Sequence, residues 1–367
     1  MININKIHIK INTYNKELGD SILNFNIKGD NINYVIINTL RRIIFTYIPI
    51  YAFKEFIFNK NTSLFHNNYL KLRLTNFPIW GIENNINFID SIINETNNTD
   101  DEYEQYNDQD NEFDIDNEND ENDENDENDE DKNDENDEDK NEHENEIINN
   151  NNINSSLNEL TMYINYKNNS NKNVTVSTKH AKFYYKQKQI ESPYDIHIPI
   201  VKLNPNKEIS FSAITKIGIE KDSTTNSAVC VCHYHEINDN EFNFIIESRG
   251  QLSEKRIVHV AVINIKRKLK NFLKLIKDNN DIDENNLEGI IIINNEDHTL
   301  GNLISKGLQF HNKISFAGYN VQHPLIKIIN IHYKKLHKKD NIKDIIKDVV
   351  EYYNEIFNLI KNGISNK

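Results

Sequence analysis

The chain is short of the residues that most small-molecule chemistry needs. Its 367 residues include two cysteines, ten glycines, two methionines and one tryptophan. The two cysteines, Cys230 and Cys232, exclude a disulfide framework and fit a reducing compartment. Ten glycines leave little material for phosphate-cradling loops. No Walker loop, dinucleotide-binding glycine pattern, nucleophile elbow or zinc-protease helix occurs. A paired or tripled aspartate loop that could hold catalytic magnesium is missing too. No uninterrupted apolar run approaches the ~20 residues that cross a bilayer. The N-terminus alternates polar Asn and Lys with Ile and lacks a signal-peptide pattern. These absences predict a soluble intracellular protein with no membrane contact, and no cofactor is expected.

What is present is very unevenly placed. The formal charge is −15, yet residues 100–146 hold 27 Asp and Glu against two Lys, a local charge of −25. The remainder therefore carries about +10, a mildly basic body behind an acidic run. Residues 94–152 repeat Glu-Asn-Asp with few apolar side chains and strong self-repulsion, a composition that cannot bury enough surface to fold. It reads as a solvated insertion in a surface loop, and long insertions there cost little closure entropy. Deleting residues 100–146 is expected to leave thermal stability and partner capture intact. A large loss of either would give the run a structural or docking role.

Hydrophobic periodicity outlines the rest. Residues 1–27 alternate as half-buried strands do. Residues 33–48 form a helix stopped by Pro49, with Ile36, Leu40 and Ile44 on its apolar face, Arg41 bordering that stripe and Arg42 nearly opposite it. A second helix from Glu254 to about Lys277 has the stripe Ile257, Ala261, Ile265, Leu269, Phe272 and Ile276, with Ser253 as a candidate N-cap. A third, capped by Asp297 or Thr299, runs through Leu303 and Leu308. The last, over about 341–362, buries Val349, Tyr353 and Phe357 and has Gly363 placed as a C-cap.

Two clusters invite a chemical reading. Cys230-Val231-Cys232-His233-Tyr234-His235 offers four zinc-ligand types in six residues. It reads as a strand, however, which puts the cysteines on one face and the histidines on the other, beyond the reach of one tetrahedral ion. His298 beside Glu296 and Asp297 could make an acid–base pair, but a helix N-cap explains the same residues more simply.

The chain also repeats itself. Asn38-Thr39-Leu40-Arg41-Arg42 overlays Asn302-Leu303-Ile304-Ser305-Lys306, with Asn on Asn and Arg42 on Lys306, and each segment follows a short apolar strand. Glu296-Asp297-His298-Thr299-Leu300-Gly301-Asn302-Leu303, then Phe316-Ala317-Gly318-Tyr319 and His323-Pro324-Leu325, resemble the L subunit of archaeal RNA polymerase and the eleventh subunit of eukaryotic RNA polymerase II. Asn38-Thr39-Leu40-Arg41-Arg42 resembles the signature helix of the bacterial alpha, archaeal D and third-largest eukaryotic subunits. Asn61-Thr62-Ser63-Leu64 and the segment from Tyr69 to Ile79 resemble that family's second signature.

The resemblance implies an α+β fold of two related alpha-subunit-type dimerisation units paired within one polypeptide, the first carrying a mainly β insertion domain. The D-like unit would comprise residues 1–50 and 228–277, the insertion 51–227, a linker 278–286 and the L-like unit 287–367. It implies a non-catalytic assembly platform that docks the largest and second-largest subunits of a DNA-directed RNA polymerase, with a small tenth- or twelfth-type subunit among its partners. Arg41, Arg42 and Lys306 would be the large-subunit contacts, Arg42 foremost. No base-specific nucleic-acid contact and no homodimer are expected. Many D-like subunits carry a zinc loop or iron–sulfur cysteines after the second signature. This chain has Trp80 and then the acidic run there, so no metal is expected. Fusion of the pair resembles polymerase subunits of large cytoplasmic DNA viruses, which would place it in host cytoplasm and in the virion. The alternatives are an acidic chaperone or nucleic-acid mimic on a polymerase-like scaffold, and a zinc-dependent hydrolase built on the Cys/His cluster.

Overall fold

The computed structural model describes residues 7–15, 21–80, 160–185, 188–194, 196–278, 286–323 and 326–365. The acidic run, residues 279–285 of the linker, Pro324 and Leu325 lie outside the described residues.

Strands β1 (His8–Asn15) and β2 (Ile22–Lys28) precede helix α1 (Tyr34–Thr46). Then come β3 (Ile50–Asn61), α2 (Asn67–Thr75), β4 (Leu160–Lys167), β5 (Val174–Ser177), β6 (Ala181–Tyr185), β7 (Lys188–Ile190), β8 (Pro199–Leu203) and β9 (Glu208–Gly218). The chain continues with β10 (Val229–Asn238), β11 (Glu241–Ser248) and α3 (Glu254–Asp278). It ends in β12 (Glu288–Asn294), α4 (His298–Phe310), β13 (Ile314–His323), β14 (Ile326–Lys335) and α5 (Ile342–Ser365). The sheets run β1-β2-β11-β10, β12-β14-β13, β3-β9-β4-β6-β7 and β5-β8. No helix among the described residues is long and apolar enough to cross a membrane.

The architecture is α+β and internally duplicated. Set aside β1 and the segment β3–β9, and β2-α1-β10-β11-α3 repeats as β12-α4-β13-β14-α5. The strand orders agree as well, β2-β11-β10 against β12-β14-β13. Helices α1 and α4 are both 13 residues long, and each starts after an Asx residue whose side chain accepts from the first turn. Asn33 Oδ1 takes Val35 N at 3.0 Å, and Asp297 Oδ1 takes Thr299 N at 2.8 Å. Such caps satisfy backbone N–H groups that the helix cannot. Aligned cap on cap, Asn38 meets Asn302 and Arg42 meets Lys306, the overlay read from the sequence.

Both units bury one sheet face under their helices. Phe25 stacks on Phe244 at 5.3 Å in the first, and Ile291, Ile293, Ile329 and Ile331 line the second. Helix α3 lies along α5, α1 packs on α3 and α4, and α4 packs on α5. At roughly 1.5–3 kcal/mol per buried large apolar side chain, this shared helical layer is the main driving force joining the halves. Buried polar atoms oppose it, among them the Tyr353 hydroxyl, which has no hydrogen-bond partner among the described residues. Tyr353→Phe is therefore expected to raise stability by about 1 kcal/mol, since an unsatisfied buried hydroxyl costs about that or more. A denaturant midpoint that falls instead would mean the hydroxyl has a partner.

Two sequence readings are corrected. Gly363 does not cap α5, which continues to Ser365. A Cβ there would lie 2.5 Å from Ile9 Cδ1, so the glycine lets the helix close onto β1. Nor do Cys230 and Cys232 share an environment: Cys230 is exposed and Cys232 buried, because the ladder shifts register between Val229 and Val231. A bulge breaks the strict alternation on which the face argument rested. Burial pushes the Cys232 thiol up to about 12, against the lowering effect of Arg41, so it stays protonated at neutral pH. Among the described residues no three His, Cys, Asp or Glu side chains gather as a metal cluster.

Candidate assembly interface

The residues singled out for pairing lie on the four helices that pack on one another. Ile36, Leu40 and Ile44 of α1, Ile257, Ala261, Ile265, Leu269 and Phe272 of α3, Leu303 and Leu308 of α4, and Val349, Tyr353 and Phe357 of α5 are all buried. Periodicity brings each set to one face of its helix.

Polar side chains cross the same junction. Arg42 Nε donates to Thr299 Oγ1 at 2.7 Å, and its Nη2 lies 3.5 Å from Asp297 Oδ2. Lys268 Nζ on α3 pairs with Glu296 at 2.9 and 3.0 Å and sits 4.4 Å from the centre of the Tyr47 ring. Bases from the first unit thus clamp the acidic start of the L-like motif in the second. Burial works to raise the Asp297 carboxyl. The Thr299 side-chain and backbone hydrogen bonds, with Arg42 and Lys268, outweigh it and hold the carboxyl below its usual range. Burial, then the Asp297 and Glu296 carboxylates, pushes the Tyr47 phenol well above its ordinary value and keeps it neutral.

This changes the picture of Arg42. The helical wheel turns it away from the apolar stripe and so toward solvent. In the fold, α1 is packed by α3, β10 and α4, and only Tyr34 at its start is exposed. The side of α1 opposite the stripe meets the second unit, so Arg42 already has partners within the chain. Arg41 Nε donates to Asn38 Oδ1 at 3.0 Å, and Lys306 Nζ lies 5.0 Å from the centre of the Phe310 ring. The three have different neighbours.

The rest of the motif is local architecture. His298 Nδ1 lies 3.3 Å from the Tyr319 hydroxyl. A Cβ on Gly301 would come within 2.7 Å of the Tyr319 ring, so the glycine admits that ring against α4. Leu300 is buried, Asn302 half-buried, and Ala317 O accepts from Gln309 Nε2 at 2.9 Å. Gly318 is half-buried, while Phe316 and His323 are exposed. The Lys268–Glu296 pair escaped sequence reasoning, because residues 28 apart carry no spacing signal.

A second surface lies on α2 and the turn before it. Leu70 and Leu74 are buried, while Leu64 and Leu72 are 77% and 65% exposed, and the exposed Phe65 and Tyr69 rings stack at 4.6 Å. Arg73 Nη2 donates to Pro199 O at 2.8 Å and fastens the helix to β8. Contiguous exposed apolar groups of this kind mark contact surfaces.

The RNA polymerase Rpb3/Rpb11 dimerisation domain is matched twice, over residues 26–269 and over residues 288–362. A chain of Acanthamoeba polyphaga mimivirus named as a DNA-directed RNA polymerase subunit is 24% identical over 322 residues. The match covers 86% of this chain and 82% of that protein.

Proposed function

This chain belongs to the Rpb3/Rpb11 dimerisation family of RNA polymerase subunits, and from that premise we propose how it serves its polymerase. It is an assembly subunit of a multisubunit RNA polymerase. It carries no catalytic group of its own and acts as the platform on which the largest and second-largest subunits dock. The observation that carries this reading is the intramolecular pair. Two dimerisation units bury their helices against each other, so the chain needs no second copy to complete the platform and stays monomeric alone. Arg41, Arg42, Lys306 and the α2 surface of Leu64, Phe65, Tyr69 and Leu72 are the large-subunit contacts, with Arg42 acting through the clamp it forms with Asp297 and Thr299. A small tenth- or twelfth-type subunit joins the same platform, base-specific nucleic-acid contact is left to other subunits, and a viral enzyme of this type would be packaged in the particle.

The test is co-expression with the two largest subunits of the same polymerase, followed by size-exclusion chromatography. All three are expected in one peak, and Leu64→Asp with Leu72→Asp should remove a large subunit from it while leaving the isolated chain folded. Recovery of the wild-type chain with neither large subunit would sink the reading. A stable homodimer in sedimentation would sink the monomeric platform.

A further inference from the structure

The duplication supplies its own control, and the two copies differ at one sheet edge. In the first unit the outer edge of β2 is covered by β1, paired antiparallel along it. In the second, β12 pairs with β14 alone among the described residues, and its other edge is open. Among the described residues no strand corresponding to β1 lies beside β12. An open edge with free N–H and C=O groups is a template for another strand, and proteins normally guard such edges with charge, proline or a bulge.

This edge is unguarded. Its centre reads Ile290-Ile291-Ile292-Ile293. Ile291 and Ile293 are buried beneath the helices, while Ile290 and Ile292 are 53% and 60% exposed on the outer face. The corresponding outer positions of β2 are Asn24 and Asn26. Asn26 donates to Glu241 at 3.2 Å and to Asn243 at 3.1 Å, and Asn24 accepts from Asn12 of β1 at 3.3 Å. One position in one fold is polar and bonded where β1 covers the edge, and apolar and exposed where nothing does.

The helices carry the same asymmetry. Stripe on stripe, Ile257, Leu269 and Ile276 of α3 match Ile345, Phe357 and Ile364 of α5, which sets Leu275 against Gly363. Gly363 closes onto Ile9 of β1, whereas Leu275 is 54% exposed. Lys268 is tied to Glu296 just beyond β12, and the chain leads from the end of α3 to the start of β12. By the same match, Leu275 stands where a strand covering β12 would meet α3, as β1 meets Gly363 of α5.

We propose that the free edge of β12 accepts an extended segment of another polymerase subunit by antiparallel strand addition, in the place that β1 fills in the first unit. The inference rests on the assembly function proposed above. The incoming strand is apolar at alternate residues, as β1 is at Ile9 and Ile11, with main-chain hydrogen bonds giving affinity and Ile290, Ile292 and Leu275 giving selectivity. Where it passes the end of α3 it is acidic, matching the exposed Lys274 and Lys277, the latter next to the exposed Asp278. A second copy of this chain fits less well, since it would bring another lysine-bearing helix end to the same slot.

Hydrogen exchange of the full chain, alone and in complex with the two largest subunits, tests this. Amides of β12 should exchange readily in the isolated chain and slow by at least about tenfold on assembly, as strand pairing protects edge N–H groups. Ile290→Lys with Ile292→Lys should abolish that slowing without lowering the melting temperature of the isolated chain, because both side chains are exposed. A complex that forms with β12 unprotected overturns this inference and leaves the assembly function standing. Protection already present in the isolated monomer would assign the slot to another part of this chain and overturn it. So would a dimer that the lysine pair dissociates. Failure of the wild type to bind either large subunit overturns both readings together.

Discussion

Phe357→Asp is expected to abolish cooperative folding of the whole chain, and Leu269→Asp to do the same from the other half. The two residues occupy matching positions on α5 and α3, the helices that lie along each other, and both are fully buried. Removing a buried Phe side chain costs about 3–5 kcal/mol in lost burial and cavity. An unpaired carboxylate in the same place adds several more, or shifts its pKa to avoid ionising at a similar penalty. The combined loss reaches the ~5–15 kcal/mol that a typical domain has in total. Because one helical layer serves both units, a break in it uncovers the apolar sheet face of each. Circular dichroism melting should show no native transition for either variant, while Phe357→Leu, which keeps most of the burial, should lower the midpoint only modestly. A variant that melts within a few degrees of wild type, or loses one half while the other stays folded, would show that the halves do not share this core.

How much of this could be read beforehand depends on the range of the interaction. Asn33 and Asp297 sit where short polar side chains precede helical periodicity, so the starts of α1 and α4 follow from local chemistry. The stripes of α3 and α5 follow from 3.6-residue spacing. The Asn38–Asn302 overlay survives because both helices keep the same length after the same kind of cap. What was illegible depends on which elements meet. A helical wheel turns Arg42 away from the stripe but cannot say what that side of α1 meets, and here it meets Thr299 and Asp297. The bulge at Val229 separates Cys230 from Cys232 without any glycine or proline to announce it. That β2 has a covering strand and β12 has none emerges only when the two sheets are set side by side.

Asp297→Ala is expected to cost about 2–3 kcal/mol, the largest effect of any single polar substitution at the junction. The carboxylate does two jobs: Oδ1 caps α4 through Thr299 N, and Oδ2 faces the Arg42 guanidinium at 3.5 Å. Loss of an N-cap costs about 0.5–2 kcal/mol. The ion pair adds less, since both side chains are more than a third exposed and such pairs contribute at most about 1 kcal/mol. Asp297→Asn separates the two. Asparagine caps as well as aspartate, so this variant should lose only the charge contribution, about 1 kcal/mol or less. The pH dependence separates them again. The folded-state pKa of Asp297 lies below its unfolded value of roughly 3.9. Below that value the unfolded chain binds the proton first, so this contribution is complete above about pH 4 and disappears as pH falls through the folded pKa. Urea midpoints between pH 7 and pH 2.5 should therefore converge for wild type and Asp297→Asn on the acid side and separate near neutrality. Arg42→Ala should shrink the same difference near neutrality while also losing the Thr299 hydrogen bond, so Asp297→Asn should cost less in an Arg42→Ala background than in wild type. Equal cost in both backgrounds would mean that Arg42 and Asp297 do not act on each other and that the clamp between the two units is held by the Lys268–Glu296 pair and the Arg42–Thr299 hydrogen bond.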